Sequence, residues 1–132
     1  MGNDMNDPQV NRATFLIAED EDSNYLLLKT ILQKHCNLLR AKTGKEALAL
    51  FKEKPVDLIM LDIKMPEMTG IEALKEIRKL DSEIPVIMQS AYVFDSDMEA
   101  ARSAGASDFI TKPINLKILK STISKYCPQI TW

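Results

Sequence analysis

Five short apolar runs alternate with longer stretches of helical period between residues 14 and 126. The runs 14–18, 37–41, 58–61, 85–89 and 108–111 have strand length, and 58–61 (Leu-Ile-Met-Leu) is apolar at every position. A run of that kind fits a strand covered on both faces, as in parallel sheets. The second run is the weakest, being short and carrying Arg40. Leu27, Leu28, Ile31 and Leu32 give a helix over 23–35 an inner side, and Ala47, Leu50 and Phe51 mark a second that ends before Pro55. Ile71, Leu74, Ile77 and Leu80 face inward in a third, and an alanine-rich fourth stops at Gly105. The fifth spans 115–126, with Leu116, Leu119, Ile123 and Tyr126 at helical spacing. Thr43-Gly44-Lys45-Glu46, Thr69-Gly70-Ile71-Glu72 and Ser96-Asp97-Met98-Glu99 each have capping-box spacing at a helix start.

Strands alternating with helices of this length predict βαβ units with right-handed crossovers. The expected fold is α/β, a doubly wound five-stranded parallel sheet of order 2-1-3-4-5 flanked by five helices, flavodoxin-like. Residues 1–12 read as a polar, flexible lead-in, 13–127 as one domain and 128–132 as a short tail. With 132 residues and 45% hydrophobic content the chain is sized for a single core.

Charge and cysteine content narrow the function classes. A net charge of −2 with no run of more than two basic residues argues against direct nucleic-acid binding. No apolar stretch approaches the roughly 20 residues of a membrane span and no secretory pattern opens the chain, so a cytoplasmic domain without membrane contact is expected. Cys36 and Cys127 lack metal or disulfide spacing and read as buried, reduced thiols.

In the expected strand order the carboxyl ends of the first and third strands lie side by side, which brings Glu19, Asp20 and Asp62 together. Taken alone, Asp62 could equally cap the following turn. Three carboxylates on one edge repel, by about 4 kcal/mol for two charges roughly 4 Å apart at an effective dielectric of 20. Such a cluster persists by protonation or around a hard cation, Mg²⁺ or Mn²⁺. The fourth strand end offers Ser90-Ala91 and the fifth Lys112. A metal, a carboxylate, a hydroxyl and an ammonium are the parts that hold a transferring phosphoryl group.

Over about residues 14–126 the sequence resembles the receiver domains of two-component response regulators. The resemblance rests on Phe15-Leu16-Ile17-Ala18-Glu19-Asp20, on Leu61-Asp62-Ile63-Lys64-Met65-Pro66-Glu67-Met68-Thr69-Gly70, on Ser90-Ala91, and on the run from Ala104 through Lys112-Pro113. It implies that Asp62 accepts a phosphoryl group from a phosphohistidine on a histidine kinase or histidine phosphotransfer domain. It implies that Glu19, Asp20, Asp62 and the Lys64 backbone carbonyl hold Mg²⁺, and that Ser90 and Lys112 bind the phosphoryl oxygens. It implies a cis peptide bond before Pro113 and a switch in which Ser90 turns toward the phosphate while an aromatic on the fifth strand, here Phe109, swings inward. The switched surface, made by the fourth helix, fifth strand and fifth helix, would also serve a receiver dimer. Lys64 and Tyr92 stand two residues after Asp62 and Ser90, where a long cation and a ring would slow hydrolysis of the aspartyl phosphate. The domain itself would then be a self-catalysed phosphoacceptor with slow self-dephosphorylation.

The Glu-Asp pair, Asp22-x-Asn24 and the Met-Pro-Glu-Met-Thr-Gly loop resemble receivers of hybrid sensor histidine kinases. That resemblance implies a parent chain that is itself a kinase, membrane-anchored if a sensor; a single-domain response regulator is the alternative. A Mg²⁺-dependent phosphatase of haloacid-dehalogenase type would use Asp20-Glu21-Asp22 as D-x-D, but Asn24 stands where threonine or valine is expected and no room remains for a cap domain. A pseudo-receiver would lack a member of the set Glu19, Asp20, Asp62, Ser90 and Lys112. The five strand signals exclude a phosphotransfer helix bundle, and the single His35 reads as a helix C-terminal residue.

Overall fold

The computed structural model describes residues 12–91 and 95–132. Five parallel strands, β1 (Thr14–Ala18), β2 (Asn37–Ala41), β3 (Leu58–Asp62), β4 (Val86–Ser90) and β5 (Asp108–Thr111), form one sheet of order β2-β1-β3-β4-β5. Helices α1 (Asp22–Leu32), α2 (Gly44–Glu53), α3 (Gly70–Leu80), α4 (Asp95–Ala104) and α5 (Leu116–Tyr126) connect or follow them. The expected architecture and order are both present.

Every residue of β3 is buried, because the strand is central and helices cover both of its sides. One face packs Leu16, Ile59, Leu61, Val86 and Met88 against Ala47 of α2, Ala73, Leu74 and Ile77 of α3, and Ala101 of α4. The other packs Phe15, Ile17, Leu58, Met60, Ile87 and Ile110 against Leu28 and Leu32 of α1 and Leu119 and Ile123 of α5. The two-residue period of a strand sorts the side chains between these cores.

Helix ends and faces differ from the expectation in places. α1 stops at Leu32, and His35 lies in the turn beyond it, where its ring meets Trp132 edge-on at 4.9 Å. Leu28 and Leu32 are one turn apart and define the buried stripe; Leu27, about 100° away from Leu28, is 43% exposed. Leu80 and Leu116, at the last and first positions of their helices, are exposed as well. The capping box of α3 is complete, with Glu72 N–H donating to Thr69 and Thr69 N–H to Glu72. In α2, Thr43 caps Glu46 N–H, but the Glu46 carboxylate accepts from Lys42 N–H instead of Thr43. α4 begins at Asp95, so Ser96 stands inside the helix and not at its N-cap. Asn115 caps α5 by accepting from Ile118 N–H at 3.1 Å.

Both ends of the described chain are tied to the domain. The Arg12 guanidinium donates to the carbonyls of Gln33 and Cys36. Ile130 is buried, and Trp132 packs on the α1/α5 core with its indole N–H donating to Ser124 at 2.8 Å. Cys36 and Cys127 are free and buried in that same core, and burial pushes the Cys36 thiol up to about 12.

Candidate functional site

The carboxyl edge of the sheet carries the polar groups. Phe15 and Ile17 face α1 and α5, and the same alternation extended one step places Glu19 on that side. Asp62 follows Leu58 and Met60, and Lys112 follows Ile110, by the same rule. The residues that succeed the apolar positions of three strands therefore converge beyond the sheet. The Lys112 ammonium sits between two carboxylates, 2.5 Å from Asp62 Oδ2 and 2.7 Å from Glu19 Oε1. Its backbone N–H donates to the Ser90 carbonyl at 2.8 Å, which fixes the start of the loop that follows β5. The Lys112–Pro113 peptide bond is cis.

Each carboxylate has a distinct setting. Glu19 is fully buried, with Oε2 accepting from Glu21 N–H at 3.1 Å. Burial pushes its carboxyl above the usual range, against the pull of Lys112 and the Glu21 N–H and with a push from the Asp62 charge. Asp62 is 6% exposed and accepts from Lys64 N–H on Oδ1 at 3.1 Å. Asp20 is exposed. Burial works against the Lys112 ammonium, yet its bonds to Asp62 and Glu19 outweigh this and hold it above the ordinary lysine value.

Carboxylate oxygens of Glu19, Asp20 and Asp62 lie within 4.8 Å of one another. Three clustered carboxylates, two of them paired with one ammonium, offer a hard oxygen donor set that suits a divalent cation. A cavity of about 280 Å³ opens over them, lined by Asp20, Glu21, Asp62, Lys64, Ser90, Ala91 and Lys112. Glu19 lies beneath this lining and reaches the cavity through Lys112. The loop from Lys64 to Thr69 closes on β3 through Gly70, whose N–H donates to the Ile63 carbonyl at 2.9 Å.

Ser90 and Phe109 belong to the opposite face of the sheet. Met88 pairs with Phe109 and Ser90 with Thr111, so both side with Met88 toward α4. Phe109 is half-buried, and the Arg102 guanidinium of α4 lies 5.1 Å from its ring centre. Tyr92 falls outside the described residues.

Two polar residues of this region carry no sequence motif. Gln89 pairs with Asp62 across β3 and β4, and its fully buried amide has no hydrogen-bond partner among the described residues. Arg40, near the end of edge strand β2, donates to the Glu19 carbonyl and pairs with Asp22. Its one sequence signal is a lone charge late in a strand beside the acidic loop.

The profile of the response regulator receiver domain matches residues 15–124. The chain belongs to this family. The chemotaxis protein CheY of Bacillus subtilis is 39% identical over 112 residues, spanning 83% of this chain and 93% of its own. Hybrid signal transduction histidine kinase I of Dictyostelium discoideum is 37% identical over 119 residues, spanning 83% of this chain but only 7% of the kinase. A chain in the co-crystal structure of the Saccharomyces cerevisiae phosphotransfer protein Ypd1 with the receiver domain of Ssk1 superposes with a TM-score of 0.82. It is 30% identical and covers 91% of this chain and 92% of that one. The receiver thus matches most of a stand-alone regulator and a small share of a hybrid kinase. Among its described residues no helix is long and apolar enough to cross a membrane.

Proposed function

We propose that this receiver takes a phosphoryl group on Asp62 from a phosphohistidine of a histidine kinase or phosphotransfer domain. The observation that carries the reading is Asp62 held between the Lys112 ammonium and the Lys64 N–H at the floor of an acid-lined cavity. One Asp62 oxygen attacks phosphorus and the P–N bond breaks, its electron pair passing to the imidazole nitrogen. Lys112 then turns from the carboxylate to a phosphoryl oxygen, and Ser90 donates its hydroxyl to another. Glu19 stays beneath as the fixed partner of Lys112. Asp20, Asp62 and the Lys64 carbonyl would hold Mg²⁺ directly, with Mn²⁺ as a substitute, and Glu19 would act from behind. When bound, the metal neutralises charge on the transferring group.

The surface of α4, β5 and α5 is the proposed output. Its support is the placement of Ser90 and Phe109 on one sheet face, with Arg102 of α4 against the Phe109 ring. Movement of Ser90 toward phosphate opens space on that face, which the Phe109 ring fills, so phosphorylation shifts an existing equilibrium. The same surface would serve a receiver dimer. Lys64 borders the path of the water that hydrolyses the aspartyl phosphate, and Tyr92 is proposed to share that role. Lys64→Ala should shorten the phosphoryl lifetime severalfold; an unchanged lifetime in Lys64→Ala and Tyr92→Ala removes the idea. The receiver is proposed to work in the cytoplasm as part of a hybrid histidine kinase, the alternative being a single-domain regulator.

Labelled acetyl phosphate with and without Mg²⁺ tests the activity. Label should appear on the wild type only with the metal. NMR shifts on adding a phosphoryl mimic should spread into α4, β5 and α5. Confinement of those shifts to the cavity would contradict the switch.

A further inference from the structure

Asp20 is the exposed member of the acidic set and stands in the loop between β1 and α1, outside the sheet hydrogen bonding that fixes Asp62. Something must order that loop if Asp20 is to serve as a ligand. Around Asp20 the backbone is held by several bonds. Glu19 N–H donates to the Ala41 carbonyl at 2.9 Å, and Glu21 N–H donates to the Glu19 carboxylate. The guanidinium of Arg40 supplies the rest. Its Nε and one terminal nitrogen donate to the Glu19 carbonyl at 3.2 and 3.0 Å, and that terminal nitrogen lies 3.5 Å from the Asp20 carbonyl.

Arg40 is itself fixed. Register pairs it with Ile17, so it lies on the α1 side of the edge strand. There it forms an ion pair with Asp22 at 2.8 Å, and its guanidinium carbon is 4.5 Å from the centre of the Tyr25 ring. A planar fork that serves a carbonyl, a carboxylate and an aromatic face together is an arginine arrangement that lysine does not reproduce.

We infer that Arg40 is a positioning residue for divalent-cation binding, a clamp that presets the loop carrying Asp20. The inference rests on the reading of Asp20 and Asp62 as cation ligands, with Glu19 behind them. Groups that hold metal ligands from behind commonly contribute about tenfold or more to metal affinity. Charge acts in the opposite direction, since a guanidinium near the site repels Mg²⁺. Asp22, which Arg40 shares with Lys42, offsets part of that charge at close range, and on this inference the clamp outweighs the remaining repulsion.

Calorimetric titration of the whole chain with Mg²⁺ separates the two effects. Arg40→Ala removes both clamp and charge; Arg40→Lys keeps the charge and loses the fork. Both variants should bind Mg²⁺ more weakly, by about tenfold, with circular dichroism showing each still folded. Arg40→Lys carries the test alone should Arg40→Ala fail to fold. Tighter binding in Arg40→Ala with Arg40→Lys unchanged would make the residue a charge and not a clamp. Affinities equal to the wild type would overturn the inference while leaving the cation site standing. A wild type that takes up no Mg²⁺ would overturn the cation site, and the role of Arg40 with it.

Discussion

The Lys112 ammonium bridges two of the three carboxylates, and most of the site follows from how it divides itself. It lies 2.5 Å from Asp62 and 2.7 Å from a fully buried Glu19, so neither acid is left as an isolated charge. A buried carboxylate without such a partner would be strongly destabilising. Gly70 sets the other boundary of the site. A Cβ there would stand 2.1 Å from the Asp62 carbonyl oxygen and 3.0 Å from the Ile63 Cα, both backbone atoms that cannot swing aside. Gly70→Ala should therefore lower stability by about 1–3 kcal/mol and slow phosphorylation; urea unfolding and phosphoryl uptake check the two effects. The placement of Asp62, Glu19, Ser90 and Lys112 at strand ends was readable in the sequence because each ends or directly follows an apolar run, with Asp20 next after Glu19. Arg40 and Gln89 were not, since an arginine in an edge strand and a glutamine late in a central one give the same pattern whether or not they touch the site. The loop contact of Gly70 was also hidden, because its place in a capping box already accounts for it.

At the scale of elements, the strands were legible and the helix faces less so. A fully apolar run such as 58–61 admits few readings, whereas consecutive leucines at 26–28 satisfy several helical stripes at once. Contact with the sheet selects Leu28 and leaves Leu26 and Leu27 largely exposed. Helices α3 and α5 are tied to neighbouring elements by polar groups that periodicity does not reveal. Arg78 of α3 donates to the Gly105 and Ile84 carbonyls at 2.8 and 2.7 Å and so joins α3 to the turn before β5. Asp108 at the start of β5 accepts from Phe109 N–H, from Lys125 and from the Tyr126 hydroxyl of α5. Burial would raise the Asp108 carboxyl, but these three donors hold it below the usual range. A depressed carboxyl stabilises the fold above its unfolded pKa, near 3.9, and that stability is lost as pH falls through the folded value. Asp108→Asn should cost about 1 kcal/mol at pH 7, and the difference from wild type should shrink below about pH 4. Denaturant midpoints at the two pH values decide this, and a pH-independent difference would contradict it.

At the scale of the molecule, the sheet order is what turns dispersed residues into a site. Glu19, Asp62, Ser90 and Lys112 come from the ends of four different strands, and order β2-β1-β3-β4-β5 sets the first two side by side. That order was predictable because right-handed crossovers allow few alternatives for five βαβ-linked strands. The docking of Trp132 on His35 and Ser124 was not, since a short segment after the last helix carries no period to read. Both faces of the sheet are packed, and the carboxyl edge with its cavity is where the proposed phosphohistidine donor would approach Asp62. The most direct measurement is the intact mass of wild type and Asp62→Asn after incubation with a phosphohistidine donor and Mg²⁺. The wild type should gain one phosphoryl group, lost on hydroxylamine treatment as an acyl phosphate must be, and Asp62→Asn should gain none. Equal uptake by the two proteins would contradict the assignment of Asp62 as the phosphoacceptor.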